Sequence, residues 1–284
     1  MKHKFLKLLG LSIISISLSS CVTNSETNES KNNFTIDLTE LFPQEISYEY
    51  VEKTDSYKLV KNISKTKHFS VANSYKEAAV TLVDTKACYN NTYMTTLNLS
   101  SKLKRINSSA FEGCTKLEDV YIYDNVLFGE DVFKNCDKLN TLDESNLSYL
   151  EAYSEKEEDN DYYYLIKTLT DTNMYLTNVK CVSILDAFKN NTKVEDVVLN
   201  EGLKYINCAA FKNSTLLRVN IPTTVEYIGV NAFYGCENLT FTMTNTIKGY
   251  FINSLDEKVE VTLTNDNIKD YLVNTYVNYE FYKD

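Results

Sequence analysis

Apolar residues recur along this chain in short alternating pairs: Leu97-x-Leu99, Val120-x-Ile122, Val197-x-Leu199 and Val219-x-Ile221. Alternation at period two, with β-branched residues or Leu, predicts strands that bury one face. Single apolar positions follow each pair, such as Leu103 and Ile106 or Leu203 and Ile206, and then an aromatic preceded by a small residue, as in Ala110-Phe111 and Ala210-Phe211. Aligned on that aromatic, the series runs Cys88 (in place of Phe), Phe111, Phe133, Phe188, Phe211 and Phe233, with gaps of 23, 22, 55, 23 and 22 residues. The second trio repeats the first at a distance of 100 residues. A period of this length, nested in a duplicated three-coil module, predicts a solenoid whose coils each contribute a strand and a short connection.

Two residues after the aromatic, all six copies carry Gly or Asn: Asn90, Gly113, Asn135, Asn190, Asn213 and Gly235. These residues enter the left-handed conformation most readily, so the segment before them is expected to be a single helical turn that stops there. The residue before the aromatic is Ala in five copies and Val132 in the sixth, which suits a tight coil pressed on its neighbour. About six apolar side chains per coil, at roughly 1.5 to 3 kcal/mol each, do not offset the ordering entropy of one coil alone. Stability must come from stacking.

The string Ile206-Asn-Cys-Ala-Ala-Phe211, and then Val219-Asn-Ile-Pro-Thr-Thr-Val-Glu-Tyr-Ile-Gly-Val-Asn-Ala-Phe-Tyr-Gly-Cys236, resembles the BspA-like class of leucine-rich repeats. The likeness spans roughly residues 57 to 245, is sharp in the last two coils and degenerates at Cys88, at Asp131-Val132-Phe133 and through most of residues 140 to 180. It implies an α/β repeat solenoid of leucine-rich-repeat type, mostly short parallel strands with single-turn helices. It further implies an interaction role, since such proteins are commonly surface proteins that bind host or neighbouring-cell components. The motif residues themselves are structural and name no ligand.

The two ends read differently from the repeats. Lys2, Lys4 and Lys7, an apolar stretch from Leu8 to Leu18 and the string Leu18-Ser-Ser-Cys21 describe a secretory signal too short to span a membrane. Leu-Ser-Ser-Cys resembles a bacterial lipobox, which implies cleavage after residue 20, lipid on Cys21, and an extracytoplasmic protein anchored to a bacterial membrane. Residues 21–47 read as a polar, flexible tether. The first module then covers 48–150, an acidic loop 151–162 contains the run Glu155 to Asp161, the second module covers 163–245, and 246–284 form a C-terminal cap. Tyr57-Lys-Leu-Val-Lys61 and Tyr163-Tyr-Leu-Ile-Lys167 look like one opening strand used twice. In the cap, a helix is expected from about Asn265 to Tyr276 and an aromatic strand after it. The whole is expected to be one continuous solenoid.

Charge and residue usage narrow the function. The chain has 29 basic and 39 acidic residues, and loss of residues 1–20 removes three lysines and no acid, moving the net charge from -10 to -13. Nucleic acid is therefore not an expected partner. His68 is the one histidine beyond the signal, so no site built on several histidines can form, and its strand-like surroundings do not mark it as catalytic. Cys114, Cys136 and Cys236 share one repeat position that holds Asn91, Asn191 or Ser214 in other coils, which favours buried thiols bonding to backbone. Pairing of Cys114 with Cys136 on adjacent coils remains open. The acidic run lacks the glycine and spacing of a calcium loop.

No catalytic constellation, metal or cofactor is called for, and the chain reads as a non-enzymatic binding protein whose partner is a host or neighbouring-cell protein or glycan. By alternation, the outward strand positions are Thr96, Asn98 and Ser100; Asp119, Tyr121 and Tyr123; Asp196, Val198 and Asn200; and Arg218, Asn220 and Pro222. The strongest of these are Asn98, Asp119, Tyr121, Tyr123, Val198, Asn200, Arg218 and Asn220. Tyr121 and Tyr123 are the anchor candidates, because tyrosine gives rigid amphipathic contact area. The alternative is an extracytoplasmic enzyme or solute-binding lipoprotein with a carboxylate pair or pocket between the modules.

Overall fold

The computed structural model describes residues 45–123, 125–139, 147–153, 162–168, 174–175 and 181–284. The expected signal, Cys21, nearly all of the expected tether and the acidic run Glu155 to Asp161 lie outside the described residues. The chain opens with a hairpin of β1 (Ile46–Val51) and β2 (Ser56–Asn62), followed by β3 (His68–Ser70), β4 (Ser74–Tyr75) and β5 (Ala78–Val83). Next come β6 (Thr96–Asn98), β7 (Arg105–Ile106), β8 (Asp119–Tyr123) and β9 (Leu127–Phe128). A second hairpin, β10 (Leu147–Tyr153) and β11 (Tyr162–Thr168), restarts the series with β12 (Met174–Tyr175), β13 (Cys181–Ile184), β14 (Asp196–Val198), β15 (Tyr205–Ile206), β16 (Arg218–Asn220), β17 (Tyr227–Ile228) and β18 (Thr240–Thr242). The last strands are β19 (Ile247–Ile252), β20 (Lys258–Leu263) and β21 (Glu280–Lys283), with a π-helical segment at Asp270–Thr275 before β21.

The two hairpins are copies of one another. Both are antiparallel, and both shift register after their second residue, between Ser47 and Tyr48 and between Ser148 and Tyr149. The expected opening strand is the second arm of this hairpin in each module. Each coil then gives a parallel rung to two ladders, one through β5, β7 and β9 and one through β3, β6 and β8 in the first module. The second module repeats this with β13, β15 and β17, and with β12, β14, β16 and β18.

The ladders do not run straight through. Strand β8 pairs with β10, joining the β3-β6-β8 ladder of the first module to the other ladder of the second in one eleven-stranded sheet, while β12, β14, β16 and β18 form a separate four-stranded sheet. The inserted hairpin thus breaks the continuous strand face expected from the repeat.

The aromatic column is as the period requires. Phe188, Phe211 and Phe233 stack at 4.7 and 5.0 Å between centroids with planes within 9°. All three are fully buried, as is Phe111. Phe133 stacks on Phe111 at 5.7 Å but is only half-buried, because the module junction lies on its other side. All six Gly or Asn residues after the aromatic have positive φ, between 56° and 79°.

The expected single-turn helices do not form, and a second set of left-handed residues explains why. Lys86, Ser109, Asp131, Ala209 and Asn231, each two residues before the aromatic, have φ near 60°. A helix cannot pass through them. Instead the backbone alternates: the N–H groups of Ser109, Phe111 and Gly113 donate to the carbonyls of Glu130, Val132 and Lys134 on the next coil. Those of Ala110, Glu112 and Cys114 close turns onto Asn107, Ser109 and Phe111. Every N–H in the stretch is satisfied, half along the stack and half within the coil.

Beyond the repeats, β19, β20 and β21 make an antiparallel sheet. Ile247, Phe251, Leu263, Ile268, Leu272 and Phe281 join the same core as Phe233.

Candidate functional site

Of the expected strand-face residues, those on β6 and β8 are open to solvent. Asp119 is exposed, Tyr121 is 44% exposed, and Asn98 and Tyr123 are half-buried. Asn98 donates to Ser70 Oγ at 3.1 Å, fixing its amide beside β3. The Tyr123 backbone carbonyl accepts from the Tyr164 hydroxyl at 2.7 Å, so the end of β8 is held by the second hairpin. Ser100, further along, is buried and bonds to Asn73.

The residues expected on the second module's face are placed differently. Asn200 is buried, not outward, because β14 ends at Val198 and the alternation ends with it; its amide donates to the Glu201 carbonyl. Pro222 is buried for the same reason after β16. Asn220 accepts from Leu199 N–H at 2.6 Å and donates to the Leu199 carbonyl at 3.0 Å, so its side chain zips one coil to the next. Arg218 is exposed and pairs with Asp196 at 2.5 Å, and Val198 is half-buried. These residues lie in the four-stranded sheet, apart from Tyr121 in the eleven-stranded one.

The junction between modules carries a charged cluster and a cavity of about 330 Å³ bordered by Asp131, Phe133, Asp186 and Lys189. Coil four is one residue short there, since Ile184 and Ile206 are ladder partners but lie four and five residues before their aromatics. Asp186 occupies the shortened turn and accepts the Asp131 N–H at 3.1 Å. Burial, and then the charge of Asp131, raise the Asp186 carboxyl to about 7. Burial would also raise Asp131 and Glu130, but Lys189 with Lys134 holds the first below its ordinary value, and Lys189 with Lys212 holds the second below its own. Lys189 reaches Glu130 at 2.6 Å and Asp131 at 2.7 Å. The neighbouring lysines neutralise this acid group, which is the chemistry of a structural ion network.

The repeated cysteine position behaves as its Asn and Ser equivalents do. Cys114, Cys136 and Cys236 donate to the carbonyls of Cys88, Phe111 and Phe211 at 3.2, 3.1 and 3.0 Å. All three are free thiols in this structure. Asn91 serves the same corner by donating to Ser64 and accepting from Tyr93 and Met94. His68 is exposed on β3 at a sheet edge.

A further surface was not singled out from the sequence. Tyr205 and Tyr227 occupy the outward position of β15 and β17, where β7 and β9 have Arg105 and Leu127, and the outward faces of these two ladders meet. Phe128 N–H donates to Asn207 Oδ1 at 2.9 Å across this contact, and Arg105 pairs with Glu280 of β21. The aromatic ahead of Ile206 and Ile228 was the available signal, but its partners are long-range.

The family profile described as "BspA type Leucine rich repeat region" matches in six copies, over residues 50–158, 81–184 and 156–240. The chain belongs to the BspA-type leucine-rich repeat family. Among solved structures, a leucine-rich repeat protein of T. pallidum is 20% identical, with a TM-score of 0.39, over 71% of this chain and 82% of that one. A leucine-rich cell surface protein from Faecalibacterium prausnitzii is 18% identical, with a TM-score of 0.37, over 76% of this chain and 59% of that one. No curated protein matches the chain in sequence. Members of this repeat family are typically binding proteins, and no enzyme family is indicated.

Proposed function

We propose that this chain is a non-enzymatic surface lipoprotein, anchored through lipid on Cys21, that presents its β6 and β8 strand face to a protein or glycan of a host or neighbouring cell. The observation that carries the reading is Tyr121, a large aromatic 44% exposed on a rigid parallel ladder between Asp119 and Tyr123. Exposed tyrosines on an ordered backbone bind at low entropic cost. The anchor rests on the lipobox-like Leu18-Ser-Ser-Cys21, and the extracytoplasmic location follows from it. The test is capture of matrix proteins and glycans by the parent and by a Tyr121→Ala, Tyr123→Ala double variant. Loss of capture with an unchanged urea midpoint supports the face, and undiminished capture overturns it. Cys21→Ala is expected to move the protein to the soluble fraction and abolish fatty-acid labelling.

The second reading, a solute or catalytic site at the module junction, has in its favour the cavity beside Asp131 and Asp186. The lysines that neutralise Glu130 and Asp131 weigh against it.

A further inference from the structure

We propose that the groove where the outward faces of the two modules meet is a second binding site, specific for a neutral oligosaccharide. The proposal rests on the reading of this chain as a binding protein and adds to it a site and a ligand class. The groove is open and holds about 560 Å³, within the range of roughly 300 to 1,000 Å³ usual for small-ligand sites. Leu127 comes from the first module, Tyr205 from the second and Tyr282 from the C-terminal cap; all three are half-buried and line the groove. Lys104, Asn125 and Glu226 are exposed on its rim.

Several contacts fix this arrangement before any ligand arrives. Tyr282 donates to Glu280 Oε2 at 2.7 Å, and its ring packs against Tyr227 at 5.2 Å and lies nearly parallel to Tyr250 at 5.7 Å. Tyr227 is buried and donates to Glu280 Oε1 at 3.0 Å, giving the wall a rigid backing. The rim backbone is pinned as well. The Lys104 carbonyl accepts from Leu127 N–H at 2.9 Å, and the Glu226 carbonyl accepts from Lys283 N–H at 2.9 Å. Pre-organisation of this kind lowers the entropic cost of binding.

The chemistry selects the ligand. A pyranose offers an apolar C–H face and a rim of hydroxyls that donate and accept. The groove offers aromatic and aliphatic walls, an ammonium donor in Lys104, a carboxylate acceptor in Glu226, and an amide that does both in Asn125. Lys104 and Lys283 are balanced by Glu226 and Asp284 in the groove lining, so nothing there concentrates positive charge for a polyanion, which the chain's net charge of -10 also disfavours. A wholly apolar ligand leaves the rim groups desolvated without partners.

The experiment is saturation-transfer NMR on the full chain with maltotriose, cellotriose and chitotriose as probes. Transfer to at least one is expected, strongest on the C–H protons of one ring face. Asn125→Ala with Glu226→Gln, both at exposed positions, and separately Tyr205→Ala, are each expected to weaken binding at least ten-fold. The rim pair keeps the test valid if Tyr205→Ala disturbs the fold. Tyr234→Ala, at an exposed position outside both the groove and the strand face, is expected to leave sugar binding unchanged. No transfer from any probe, or transfer that survives the rim pair, overturns the groove. If protein capture still depends on Tyr121 while no sugar binds, the groove falls and the strand-face function stands.

Discussion

Arg105 and Glu280 form an ion pair although 175 residues separate them in the chain. Arg105 stands on β7 of the first module and Glu280 on the last strand, with side chains 26% and 16% exposed. The hydroxyls of Tyr227 and Tyr282 also donate to this carboxylate, so one acid collects three donors where the modules touch. A double-mutant cycle with Arg105→Ala and Glu280→Gln is expected to give a coupling energy of about 0.5 to 3 kcal/mol in urea unfolding. Strict additivity of the two changes would show that the modules are not joined there in solution.

Phe211 is sandwiched between Phe188 and Phe233. Phe211→Ala is expected to cost about 3 to 5 kcal/mol, since both stacked partners lose a face and the surrounding coils can collapse only in part. An unchanged urea midpoint would contradict the stacked core.

Asp186 gives the chain a pH dependence of defined sign. Its carboxyl is raised from an ordinary 3.8 to about 7, so between those values the folded chain holds a proton that the unfolded chain has released. Stability from this group therefore falls as pH rises from about 4 to about 7. Glu130 and Asp131 are lowered instead, and their contribution is lost as pH falls below the usual carboxylate range. Asp186→Asn, which keeps an acceptor for Asp131 N–H, is expected to raise the melting temperature at pH 8 and to change it little at pH 4.5. A lower melting temperature at pH 8 would mean that the charge of Asp186 is stabilising.

Cys236 donates to the Phe211 carbonyl, and one coil earlier the same position is Ser214. Cys236→Ser is expected to stay within about 1 kcal/mol of the parent, because the hydroxyl replaces the thiol as donor. Cys236→Val removes this donor while the carbonyl keeps the Ser214 N–H at 3.1 Å, and is expected to cost about 0.5 to 1.5 kcal/mol more than Cys236→Ser in the same urea titration. Equal effects of the two would remove the hydrogen bond as the reason for the residue.

The features legible in the sequence were those set by one residue type at one spacing. The aromatic column and the Gly or Asn turn recur because only a few side chains satisfy each. The second left-handed position escaped notice because Lys86, Ser109, Asp131, Ala209 and Asn231 share no chemistry: inter-coil hydrogen bonds enforce that conformation there, whatever the side chain. The change of ladder at β8 was hidden because Leu147–Tyr153 looks like the tail of the preceding coil, and only its pairing with β11 makes it the start of the next module. On the candidate face, Tyr121 was legible from alternation alone, whereas Asn200 and Pro222 were misplaced because alternation stops where these three-residue strands stop.

The eleven-stranded sheet ends at β20 on one side and at β3 on the other. An open strand edge offers unpaired backbone groups to any second chain. Strand β20 places exposed Lys258, Glu260 and Thr262 at alternate positions, and β3 is only three residues long, with His68 and Ser70 turned to solvent. Neither edge is a good template for another strand. Edge-to-edge pairing of copies through either of these two strands is therefore disfavoured, which at these edges leaves the strand faces to contact something other than their own kind.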